Sequence, residues 1–201
     1  MKKIIALILI LSSIATAAED DPITLFSTSG QIYNGISKDL KDRNVGLVVN
    51  EGQELVMFAY SDYSGIVALI FGKDARLQIR KNINKYLEWH QKAMKKGVEI
   101  TKEIGMIEST RCSFQWASSY HSAFTTVTFG FYSVNSKDHR FVISIAEVTA
   151  SDNEYITTTP STLYLKKKSA IGLRNALSEK AIRGKIASEM KKRRAVYSDF
   201  E

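Results

Sequence analysis

The sequence predicts an α+β domain, a mainly antiparallel sheet in two stretches with a central helix over 74–96 and a C-terminal helical region over 169–190 packed on it. Three observations carry that prediction. Short polar or glycine-containing turns join successive apolar runs between residues 45 and 71, as neighbouring antiparallel strands require. Residues 79–94 repeat apolar side chains at spacings of three and four, the period of a helix. Residues 123–133 alternate instead, with Val127, Phe129 and Phe131 set between Thr126, Thr128 and Gly130, the period of a strand.

The chain starts with Lys2 and Lys3, an apolar run over 4–11, and small residues through Ala15, Ala17 and Ala18. This three-part pattern predicts a signal peptide cut after Ala17 or Ala18, and hence an exported protein, periplasmic or extracellular. A membrane anchor would need about 20 apolar residues. Here serines interrupt the run, Glu19, Asp20 and Asp21 close it, and no later segment is long and apolar enough to span. The expected organisation is a signal peptide (1–17), one domain (18–190) and a basic tail (191–201). The 184 of 201 residues left after cleavage suffice for a buried core.

Within the domain, residues 23–26 read as a short strand. Gly30 and Gly35 then punctuate an irregular stretch with one helical turn over 37–41. Residues 45–49, 55–60 and 66–71 form a three-stranded meander, joined by turns at 50–53 and 62–65. These strands are nearly continuous in apolar residues, so both faces of the sheet are at least partly covered. Asp74 caps the central helix, whose stripe is Ile79, Ile83, Tyr86, Leu87, His90 and Met94; Lys81, Lys85, Lys92 and Lys96 point outward, and Gly97 stops it. Strands follow over 99–104, 110–117, 123–133, 140–149, 154–158 and 163–165. The last helical region has weak points at Ser178 and Gly184 where it can divide in two, and the tail beyond it shows no periodicity.

With Cys112 alone, no intramolecular disulfide can form; Cys112, Phe114 and Trp116 share one strand face, where a buried thiol acts as a small apolar side chain. A cysteine nucleophile would need a histidine partner, and His121, nine residues on, is the candidate. The three histidines form no His-x-x-x-His pair, no Asp-rich calcium loop occurs, and neither metal nor cofactor is expected. No Gly-x-Ser-x-Gly and no phosphate-binding glycine loop is present. Glu108, Glu147 and Glu154 are available as acids with nothing to select among them. Trp89, Trp116 and the tyrosines Tyr60, Tyr63, Tyr120, Tyr132, Tyr155 and Tyr164 could line a ligand groove, but aromatics on half-buried sheets are usually core.

Charge is the one compositional departure. The chain carries +7, and residues 166–201, with eleven basic and four acidic side chains, account for all of it. Lys191, Lys192, Arg193 and Arg194 end this strip and are the candidate anion-binding residues, although a solvated helix face with a basic last turn is the plainer and preferred reading. Export turns that strip away from intracellular nucleic acid and towards anionic lipid, glycan or polymer. The expected function is an exported, non-enzymatic binding or accessory protein; the alternatives are a small exported hydrolase with catalytic groups on separated strands, and an envelope or surface assembly subunit.

Overall fold

The computed structural model describes residues 22–34, 39–49, 56–61, 66–158 and 160–198. The signal segment, the turns at 50–53 and 62–65 and the last three residues lie outside them.

Among the described residues, ten strands and three helices follow one another as β1 (Ile23–Asn34), β2 (Asp39–Val49), β3 (Val56–Ser61), β4 (Ile66–Phe71), α1 (Lys73–Lys96), β5 (Thr101–Trp116), β6 (Ser119–Asn135), β7 (Asp138–Ile145), β8 (Val148–Thr149), β9 (Thr157–Thr158), β10 (Ser161–Leu165), α2 (Lys167–Ala176) and α3 (Glu179–Ser198). The class is the α+β arrangement that the sequence predicts. Its sheet goes further than predicted, because the meander β1 to β7 is completed by β10 and closes into an eight-stranded antiparallel barrel. The seam pairs Gln31 with Tyr164 and Ile32 with Leu163. β8 and β9 form a separate two-stranded ribbon between β7 and β10.

Alternation decides what lies inside. Along β6, Ala123, Thr125, Val127, Phe129 and Phe131 are buried, while Phe124 and Thr126 are exposed. The register carries this parity around the ring: Leu69 lies opposite Cys112, Cys112 opposite Ala123, Phe129 opposite Ile143 and Ile143 opposite Leu163. Phe58, Phe114, Phe129, Phe131 and Phe141 are fully buried and fill the interior, as side chains do in a barrel of this strand number.

α1 joins the end of β4 to the start of β5 and closes that end of the barrel. Ile79, Ile83 and Tyr86 face inward; the Tyr86 ring lies 5.6 Å from Phe131 and 5.5 Å from Phe141, and its hydroxyl donates to the His139 carbonyl at 2.9 Å. α2, leaving the end of β10, packs beside α1 and over β1, where Thr28 and Ser169 hydroxyls meet at 2.9 Å. Gly172 fits there because the Phe26 ring occupies the place a Cβ would take.

Several expectations are corrected. β1 runs through Gly30 to Asn34, and residues 39–41 are strand, not a helical turn. Gly30 is needed because Leu163, Leu165 and Val45 fill the space in front of it. α1 is capped by the backbone of Gly72 with no side-chain cap, Asp74 sitting inside its first turn; Gly97 does end it, at φ 63°. Ala93 is buried where Met94 was expected, because the helix turns Met94 outward. Two predicted strands merge into β5 through an irregularity between Ile107 and Thr110, where Ser109 takes a positive φ. The C-terminal region divides after Ala176, and its second helix continues to Ser198, so the basic tail is largely helical.

Candidate functional site

α3 is the least packed of the helices. Ile182 is its buried anchor and Ile186 is partly buried on the core. On the other side, Lys180, Arg183, Ala187, Lys191 and Arg194 follow at spacings of three, four, four and three, all exposed, and form one outward stripe. The helix has two described carboxylates, and both are engaged. Glu179 takes Arg183 Nε at 2.8 Å and Arg76 Nη2 at 3.2 Å, and Glu189 takes Lys192 at 2.9 Å and Lys185 at 3.2 Å. These ion pairs hold both carboxyls below their ordinary range, chiefly through hydrogen bonds from Arg183 and Lys192. Lys180, Lys191 and Arg194 have no carboxylate partner among the described residues.

The four tail cations therefore differ. Lys191 and Arg194 belong to the stripe, Lys192 is paired, and Arg193 is half-buried in a crevice of about 270 Å³ with Pro22, Ile23, Thr24, Lys185 and Glu189. What the sequence hid is the face they share with Lys180 and Arg183. The three-four spacing that defines it was readable once the helix was known to run past residue 190.

The same end of the barrel gathers more charge. α1 holds eight lysines and arginines against two carboxylates, residues 166–198 eleven against two, and the barrel segments 22–72 and 97–165 seven against twelve. Arg76 bridges α1 to α3 through Glu179, and Arg174 Nη1 donates to Asn84 Oδ1 at 3.1 Å between α2 and α1. α2 opens on Lys167 and Lys168, after Lys166, with no acid in its first turn and no side-chain cap. Cations at the positive end of a helix dipole cost about 0.3–1 kcal/mol each at exposed sites.

The cysteine–histidine pair lies on neighbouring strands in a diagonal register. Cys112 is opposite Ala123 and His121 opposite Phe114, whose rings are 6.0 Å apart. Burial pushes the Cys112 thiol up to about 11, and the residue is 1% exposed. His121 Nδ1 instead meets Asp152 at 3.1 Å, and that hydrogen bond holds the Asp152 carboxyl below its usual range. Trp116 keeps the parity of Cys112 and Phe114, but at the β5–β6 hairpin it lies past the core and is 45% exposed. Glu108, Glu147 and Glu154 are all exposed.

His139 is buried rather than solvated. Its Nδ1 meets the Ser133 hydroxyl at 2.8 Å, and its ring packs against Phe131 at 5.2 Å and His90 at 5.5 Å. Burial lowers the pKa of both histidines, with Lys167 acting in the same direction on His90. No group of three metal-ligating side chains forms among the described residues, and no described helix is long and apolar enough to cross a membrane.

The chain belongs to the family described as "Uncharacterised Treponema protein", which it matches over residues 22–184. No curated protein and no solved structure matches it.

Proposed function

We propose that this is an exported, non-enzymatic binding protein that docks on anionic envelope lipid through the outward face of α3. The observation that carries the reading is the stripe Lys180, Arg183, Lys191 and Arg194, four cations on one exposed face whose only described carboxylate contact is Glu179 with Arg183. The lysines opening α2, placed where they cost helix stability, support it. So does Leu77 of α1, 53% exposed between Lys73 and Lys81 one helical turn to either side, an apolar contact of the kind interfacial helices use. Export is supported by the first eighteen residues.

Cosedimentation of the mature protein with vesicles of phosphatidylglycerol in phosphatidylcholine tests this. Each cation at an anionic surface contributes about 1 kcal/mol. With Arg183 already paired, Lys180→Gln, Arg183→Gln, Lys191→Gln and Arg194→Gln together should remove about 3 kcal/mol, roughly a 100-fold loss of affinity. Arg111→Gln on the barrel wall should change little. A wild-type protein that ignores these vesicles at low salt, or a quadruple variant that binds as well, refutes the reading.

A further inference from the structure

A second surface lies on the barrel wall, where β5, β6, β7 and β10 turn their outward faces to one shallow groove of about 320 Å³. The register sets out its rungs. One rung carries hydroxyls, Thr162 opposite Ser144 and Ser144 opposite Thr128. The next runs from Tyr164 to Val142, Gly130 and Glu103. The third pairs Tyr132 with Arg140 and with Thr101. The two tyrosines lean together over the strand between them, ring centroids 5.2 Å apart in an edge-to-face contact.

Gly130 makes the groove. A glycine inside a strand weakens it and often marks a close approach by a ligand or another backbone. Gly30 and Gly172 are each explained by a neighbouring side chain that occupies the Cβ position, within 3.0 Å. At Gly130 the nearest atoms to a Cβ would be Val142 Cβ at 3.5 Å and the Lys102 carbonyl at 3.6 Å, ordinary contact distances, so the protein leaves room there that it does not itself use.

The lining is amphipathic. Gly130 and Val142 give an apolar floor and the tyrosines an aromatic wall. Ser144 and Thr162 bond to each other at 3.0 Å, which leaves one hydroxyl proton and several lone pairs to offer. Burial raises the Tyr164 phenol above its ordinary value, so it remains a neutral donor. Lys102 lines the groove with its backbone only, since it lies opposite Phe131 and lays its ammonium over the Trp89 ring at 5.5 Å, so Glu103 is the charge its strand turns to the groove and a phosphate would meet a carboxylate there.

We propose that this groove binds a carbohydrate, a pyranose ring laying its C–H face on Gly130 and Val142 beside Tyr132 and Tyr164, with its hydroxyl edge towards Thr128, Ser144 and Thr162. Such a ring is itself amphipathic, apolar on its faces and hydroxylated at its rim.

Calorimetry and saturation-transfer NMR with β-linked glucose and N-acetylglucosamine oligomers test the proposal. Binding should survive 0.5 M salt (about an order of magnitude above low-salt buffer), which lipid docking should not. Gly130→Val fills the floor with a residue that strands accept; it should fold, keep vesicle binding, and weaken saccharide binding at least about tenfold. Thr128→Val, which keeps shape and removes one hydroxyl, provides the same readout if Gly130→Val fails to fold. Refutation comes from wild-type protein that binds none of these saccharides, from variants that bind them unchanged, or from an extended peptide that occupies the groove instead.

Discussion

Replacing Gly172 and Gly184 by alanine should move stability in opposite directions. Both lie in C-terminal helices, where glycine is about 1 kcal/mol worse than alanine, so helix propensity alone predicts two equal gains. At Gly184 a Cβ meets nothing within 4 Å, and the full gain should appear. At Gly172 it would lie 2.4 Å from Phe26 Cε2 and 2.7 Å from Cζ, against about 3.5–4.0 Å for a comfortable carbon contact, so the ring or α2 must shift by about 1 Å. Overpacking of this kind costs about 1–3 kcal/mol, which cancels or exceeds the propensity gain. For a chain of this length each kcal/mol moves Tm by about 2–4 °C. Melts followed by circular dichroism should therefore show Gly184→Ala raised by about 2–4 °C and Gly172→Ala anywhere from unchanged to lowered by about 4–8 °C. Phe26→Leu should restore much of the loss in the double variant, a coupling that only contact produces. A Gly172→Ala protein as stabilised as Gly184→Ala would mean that α2 does not sit on β1 through Phe26.

Two further outcomes follow from buried groups. Cys112, with its thiol raised to about 11, is about one part in a thousand ionised at pH 8 and shielded by the wall, so iodoacetamide should leave it unmodified until denaturant is added. Rapid labelling of the native protein would place Cys112 outside the core and reopen the pairing with His121. Unfolding should also become easier in mild acid. The native values of His90 and His139 lie below the ordinary 6.5, so the unfolded chain takes up protons first, and stability present above about 6.5 is lost as pH falls through the native values. The urea midpoint should drop between pH 7 and pH 5, a range above the lowered carboxylates, and His90→Gln with His139→Asn should flatten that dependence. An equal midpoint at both pH values in the wild type would show these rings to be solvated.

What the sequence revealed was local. β6 declared its inward face by strict alternation, α1 by its stripe and the stop at Gly97, and the meander β2 to β4 by turns too short for anything but antiparallel neighbours. What it concealed depends on partners distant along the chain. Gly30 looks like a break in a loop until Leu163 and Leu165 are seen to fill its place, and closure rests on a pairing between residues 31 and 164 that no window of sequence contains. Charge showed the same limit. The C-terminal excess was plain in the sequence, but the neighbouring cations of α1 joined it only when the helices met at one end of the barrel. The groove around Gly130 was not singled out, since Tyr132 and Tyr164 were two aromatics among many, and with a threonine and a serine from separate strands they become a site only through register.

The seam between β1 and β10 also fixes when the molecule can be finished. Strands β1 to β7 can zip together as they emerge, each beside its predecessor, but the outer edges of β1 and β7 stay unpaired until residues 161–165 arrive between them. Exposed edges of this kind recruit other strands. A nascent or truncated chain lacking the last fifth of the sequence would therefore present two adhesive borders, and its fate would depend on whatever binds it before the final strand does.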